Sequence, residues 1–209
     1  KAINNAVEFN NVDFSYFNFE KNIFENLNLK FEKNSHTIIT GPNGSGKSTV
    51  LGLISGLYLP VNGEVKVYSD KLGYIGVTPL IIEGSIRENL LYGNENHVED
   101  EKMYELIDKF SFFPTNNEIN LDEIINNKSL SSGQMQKISF IRSLLNKSNI
   151  LLLDEATSNL DEKTKGLIFE ILNNEKITII NSTHNKEDFK YDLEMKIEIL
   201  DNTRLIKTR

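Results

Sequence analysis

A chain of 209 residues with 39% hydrophobic residues, 25% charged residues and four prolines has the make-up of one large globular domain, or two small joined ones. It is long enough to bury a core without a structural metal; the lack of cysteine excludes a disulfide framework, a thiolate zinc site and a Cys nucleophile, and a net charge of −7 argues against nucleic acid as the main partner. No apolar run approaches the roughly 20 residues that span a bilayer, and the chain opens on Lys1 rather than Met, so any membrane crossing is expected from another segment, upstream of Lys1, or from a subunit.

In chain order, the first third reads as strands and turns. Val7, Phe9, Val12 and Phe14 lie in a β-prone stretch, Leu27, Leu29 and Phe31 alternate, and His36–Thr40 is a short apolar run. A Gly-rich loop, Gly41–Gly46, leads into a predicted helix over Thr49–Leu57 that stops near Gly56 and Pro60. Ser85–Lys128 is expected to be helical and polar, with one helix at Glu99–Phe110 placing Met103, Leu106, Ile107 and Phe110 on one face. Met135, Ile138, Ile141, Leu144 and Leu145 form a second helical stripe. Ile150–Leu153 is apolar without alternation, as a strand buried on both faces of a parallel sheet should be. A helix at Glu162–Leu172, a strand at Ile177–Ile180 and a closing pair near Lys196–Leu200 and Arg204–Ile206 follow. Alternating strand and helix predict a parallel α/β core, with the polar middle inserted into it.

Gly41-Pro42-Asn43-Gly44-Ser45-Gly46-Lys47-Ser48 satisfies the phosphate-loop pattern GxxxxGK[ST], between an apolar strand and an amphipathic helix. Glycines let backbone N–H groups turn toward phosphate oxygens, and the helix offers its positive end. Lys47 would reach the β- and γ-phosphates of ATP, and the Ser48 hydroxyl would bind Mg²⁺. Ile150–Glu155 is an apolar strand ending in two carboxylates. Beside a phosphate loop, Asp154 would hold Mg²⁺ and Glu155 would act as general base toward the attacking water.

Leu130-Ser131-Ser132-Gly133-Gln134 opens the second helical stripe, and on its own reads as an N-cap. With the two preceding motifs it resembles LSGGQ, the signature of the ABC ATPase family, and the resemblance runs from Val7 to Ile206 with motifs in the family's order. It implies an ABC ATPase fold: a phosphate-loop NTPase core with a mixed, mainly parallel sheet, an N-terminal antiparallel β subdomain and an inserted helical subdomain. The expected division is one domain, with residues 1–76 and 129–209 forming the β subdomain and core, and 77–128 the Q-loop and helical subdomain. It further implies ATP and Mg²⁺ as ligands, with Gly41, Asn43, Gly44, Ser45, Gly46, Lys47, Ser48 and Thr49 at the nucleotide. Ser131, Ser132, Gly133 and Gln134 would act across a head-to-tail dimer on nucleotide held by the other copy. Ser158-Asn159-Leu160-Asp161 stands at the D-loop, Thr183-His184 resembles the switch histidine, and Tyr16 occupies the place of an adenine-stacking aromatic, unless it is simply a strand tyrosine.

Gly84-Ser85-Ile86-Arg87-Glu88-Asn89-Leu90 resembles a stretch of exporter ATPase domains, and is also a capping box in its own right. The resemblance thus implies an ATP hydrolase at the cytoplasmic face of the cell membrane, working with the transmembrane domain of an exporter and with no nucleic acid. Two departures stand out. Val77 occupies the place of the family's Q-loop glutamine, and no Gln precedes Gln134. The segment before the signature is Asn126-Asn127-Lys128-Ser129 rather than Glu-Arg-Gly, nearer to bacterial peptide and bacteriocin exporters. A soluble ABC ATPase acting on ribosomes or DNA, and a weakly hydrolytic regulatory module, are the alternatives.

Overall fold

The computed structural model describes residues 4–17, 21–112, 119–158, 160–185, 190–200 and 203–208. The chain divides into two compact units, one of residues 1–74, 149–155 and 176–209, the other of residues 75–148 and 156–175.

The first unit opens with a three-stranded antiparallel sheet in the order β2-β1-β4, built from β1 (Asn5–Phe14), β2 (Phe24–Glu32) and β4 (Asn62–Val67). Leu27, Leu29 and Phe31 point inward from β2 while their neighbours face water, the period of two expected from their alternation. A six-stranded sheet follows, in the order β11-β10-β3-β9-β8-β5. Its strands are β3 (His36–Thr40), β5 (Leu72–Ile75), β8 (Ile150–Asp154), β9 (Thr178–Ser182), β10 (Leu193–Leu200) and β11 (Thr203–Thr208). β10, β3, β9 and β8 run parallel, and β11 returns antiparallel on β10. Leu151, Leu152 and Leu153 are all buried, which explains why β8 shows no alternation. α1 (Lys47–Ile54) packs its apolar side chains into one core with Phe9, Phe24, Phe31, Leu152 and Ile180.

α1 begins two residues earlier and ends three earlier than its apolar spacing suggests. The loop glycines deliver the chain into helical geometry at Lys47, and Gly56, at φ 75°, turns it away after the Ser55 cap.

The second unit holds α2 (Ile86–Leu91), α3 (Asp100–Lys109), α4 (Ser132–Leu145) and α5 (Glu162–Asn173), with α4 packed on the other three. Its middle is less helical than its composition suggests. β6 (Gly84–Ser85) and β7 (Ile124–Ile125) form a short antiparallel ladder. The Asn-rich connection after it is held by side-chain turns, with Asn126 Oδ1 accepting from the amides of Lys128 and Ser129. Such bonds offer the backbone an alternative to helix. The Gly84–Leu90 stretch has a local structural reason for its residues. Ser85 and Glu88 form a reciprocal capping box, and the fully buried Asn89 bonds the backbone of Ile82 and Ser85 with both ends of its amide.

Candidate functional site

The carboxyl ends of β3, β8 and β9 lie on one edge of the parallel sheet, the edge where ligands bind in open α/β sheets. β3 ends at Thr40 and the Gly41–Gly46 loop carries the chain to α1. A Cβ on Gly41 would stand 2.7 Å from the carbonyl oxygen of Ile197. At Gly46, φ is 106° and a Cβ would stand 2.7 Å from Cζ of the buried Phe24. Both positions therefore require glycine, and they place the loop close against β10 and β2. Gly46 is also the N-cap of α1 and supplies no side-chain cap, so the first amides of α1 are left to an outside acceptor. Lys47 is 5% exposed; its Nζ donates to the carbonyls of Gly41 and Pro42 at 3.0 and 3.3 Å, across the mouth of the loop. Asn43 and Gly44 form the exposed tip, and Arg204 of β11 donates to the Gly44 carbonyl at 3.2 Å.

The acids of β8 face the same loop. Ser48 Oγ donates to Asp154 Oδ1 at 3.0 Å, and Tyr74 of β5 donates its hydroxyl to Asp154 Oδ2 at 2.9 Å. Burial, with the Asp154 charge adding to it, pushes the Tyr74 phenol well above its ordinary value, so it stays a donor. Glu155 sits at φ 51°, a left-handed conformation costly for a non-glycine residue, and its amide donates to the Ser182 carbonyl. There its Oε1 lies 2.9 Å from His184 Nε2, close enough for the ring N–H to donate to the carboxylate. Thr183 links this turn to β3 through its backbone N–H, which donates a hydrogen bond to the Ile39 carbonyl.

Tyr16 follows β1. Its hydroxyl shares a 2.8 Å hydrogen bond with Thr49 of α1, and its ring meets those of Phe14 and Tyr58 nearly at right angles. The half-buried Tyr16 is thus joined to the helix that carries Lys47 and Ser48.

The donor set suits a phosphate-bound Mg²⁺. A hydroxyl and a carboxylate oxygen, both hard ligands, are already at hydrogen-bond distance, and no group of three metal-ligating side chains occurs among the described residues. Mg²⁺ usually takes one or two protein oxygens and completes its shell with water and phosphate. An anion also suits the cradle: Ser45 Oγ, within the loop, is buried with no hydrogen-bond partner among the described residues.

The second unit carries the other motif. Ser131 Oγ accepts from the Gln134 amide and Gln134 Oε1 from the Ser131 amide, a complete capping box at the start of α4. Ser131 and Ser132 are exposed, and Gly133 and Gln134 partly so. Asp161, an N-cap of α5, accepts from Thr164, while Asn159 lies outside the described residues. Val77 is 42% exposed; the carbonyls of Gly76 and Val77 accept from Gln136 of α4 at 3.0 and 3.2 Å.

Tyr74 and Arg204 belong to no motif, and sequence reasoning passes over both as site residues. Only strand order brings Tyr74 beside β8 and Arg204 over the loop.

This is the architecture of a phosphate-loop nucleotide-binding domain. The pattern described as ABC transporter matches residues 24–158. The chain is 34% identical to "ATP-dependent permease MDL1" of Candida albicans over 90% of its length and 30% of that protein's. Its identity to the mouse protein "ATP-binding cassette sub-family B member 10, mitochondrial" is also 34%, over 82% of this chain and 27% of that one. Among solved structures, a bacterial Atm1-family ABC exporter with ATP bound superposes over 100% of this chain and 39% of its own, with a TM-score of 0.84 at 24% identity, a likeness of fold. The chain belongs to the ABC transporter family, as an ATP-binding domain of the ABC ATPase type. It spans less than a third of these curated relatives, and no described helix is long and apolar enough to cross a membrane.

Proposed function

We propose that the chain is the ATP-hydrolysing motor of an ABC exporter, working at the cytoplasmic face of a membrane through a transmembrane partner. The observation that carries this reading is the pairing at one sheet edge of Ser48 with Asp154 and of Glu155 with His184. The loop amides and Lys47 bind the phosphates, Ser48 and Asp154 hold Mg²⁺, and Tyr16 offers its ring to the adenine. Mg²⁺, when bound, neutralises charge developing on the phosphate oxygens. Glu155 polarises the water whose oxygen attacks the γ-phosphorus as the bond to the ADP oxygen breaks, and His184 orients that water. The relatives' names as permease and transporter, together with their greater length, support a spanning partner. Ser131, Ser132, Gly133 and Gln134 act on the nucleotide of a second copy in a head-to-tail dimer, which closes on ATP and opens after hydrolysis.

Steady-state phosphate release tests the assignment of Glu155. Glu155→Gln should lower it by about 10²-fold or more while ATP still binds, and the variant should become dimeric by light scattering with ATP and Mg²⁺. A variant that stays monomeric at high protein concentration counts against the dimer. Val77 favours a second reading, a slow regulatory module, because it brings no side-chain donor where the family has glutamine; losing one such donor can slow chemistry ~10²-fold. Wild-type release no faster than that of Glu155→Gln would decide for that reading.

A further inference from the structure

Asp154 is gripped from two sides. Ser48 Oγ donates to one carboxylate oxygen and the Tyr74 hydroxyl to the other, at 3.0 and 2.9 Å. A carboxylate bonded through one oxygen can still turn about its terminal torsion, which is broad. A second donor on the other oxygen fixes its plane. The two donors differ in what they can do next. Ser48 keeps its proton, donated to Asp154, and still has a lone pair to lend to a cation. Tyr74 stands on β5, the neighbour of β8, and donates its hydroxyl to Oδ2. Tyr74 is also the polar side chain of its stretch, since residues 75–77 are Ile, Gly and Val. Its placement follows from sheet order, because β5 is the neighbour of β8. The residue is 44% exposed, and its hydroxyl bond ties it to Asp154 on the neighbouring strand.

We propose that Tyr74 is the positioning residue of the Mg²⁺ subsite, holding the Asp154 carboxylate in the one orientation in which it and the Ser48 oxygen converge on a cation. The inference rests on the reading of Ser48 and Asp154 as the Mg²⁺ holders. Hydrogen-bond partners that orient a metal-holding carboxylate are worth 10–100-fold in metal affinity. Removing the hydroxyl while keeping the ring should therefore weaken the metal's effect and leave the phosphate cradle, made by Gly41–Lys47 backbone, as it is.

The test titrates Mg²⁺ into the purified chain holding a fluorescent ATP analogue, beside a titration of the analogue in EDTA. Tyr74→Phe should raise the Mg²⁺ midpoint about 10-fold, with metal-free analogue affinity within roughly twofold of wild type. In an Asp154→Asn background, adding Tyr74→Phe should shift the midpoint no further, since the two act as one unit. An unshifted midpoint in Tyr74→Phe overturns the proposal, as does an equal extra shift in the Asp154→Asn background. A Tyr74→Phe protein that loses metal-free binding as well also overturns it, because the tyrosine then serves folding. If the wild-type signal ignores Mg²⁺ altogether, the Ser48–Asp154 subsite itself is wrong and Tyr74 falls with it. A wild type that responds while Tyr74→Phe matches it removes Tyr74 alone.

Discussion

At Gly46 and Glu155 the backbone adopts conformations that L side chains reach only with strain. Glu155 bears a cost of roughly 1–3 kcal/mol, and in return its carboxylate lies beside His184. Gly46 avoids that cost by having no side chain. Gly46→Ala would add both the strain of φ 106° and a collision with the buried Phe24 ring. Strain and overpacking together should destabilise by about 2–4 kcal/mol, read as a lower urea midpoint, with loss of ATP-dependent protection against unfolding. An unchanged midpoint would mean that the loop is free to move away from Phe24. Gly46, Lys47, Ser48, Asp154 and Glu155 were readable because their chemistry is tied to neighbours in sequence. Tyr74 and Arg204 were not, because each acts 80 or 160 residues from its partner.

Among the elements, α4 separates what a motif does for its own chain from what it offers to others. Its capping box explains Ser131 and Gln134 within the chain. Gly133 has no such internal reason: its added Cβ would lie 3.8 Å from Leu160 Cδ2, an ordinary contact, and its φ is not left-handed. Gly133→Ala should therefore fold normally and gain roughly 0.5 kcal/mol from helix propensity. If a second copy closes on this surface, the same methyl should cut phosphate release by about tenfold or more, on the scale of one misplaced contact in an active site. Thermal denaturation and phosphate release on one preparation check both halves, and full activity would show that nothing approaches Gly133. Long periodic elements were legible: α3, α5 and β8 fall within a residue or two of expectation. β5, β6 and β7 were not, because strands of two to four residues carry too few side chains for a period to show.

Taken whole, the first unit buries a titratable group at the start of its central strand. His36, on β3, lies 6% exposed, and burial pushes its imidazole below the ordinary value against the opposing pull of the Lys190 backbone and Asp192. Below about pH 6.5 the unfolded chain then binds a proton that the folded chain resists. This contribution to stability is fully present above that pH and is lost as pH falls toward the folded-state value. Chemical denaturation from pH 7 to 5 should show a falling midpoint in the wild type and a shallower fall in His36→Gln; parallel curves would clear His36. Carboxylates held low by hydrogen bonds, such as Asp13 and Asp161, act in a separate window below about pH 4. By itself the sequence determined the phosphate loop, the buried strand with its acids, the signature and the alternation of strand and helix, since each is a local pattern of residue type and spacing. The tertiary structure alone decided the strand order, the division into two units, the left-handed turn that brings Glu155 to His184, and the grip of Tyr74 on Asp154. Those depend on which distant strands pair, and pairing is settled by the packing of the whole sheet rather than by any stretch of chain.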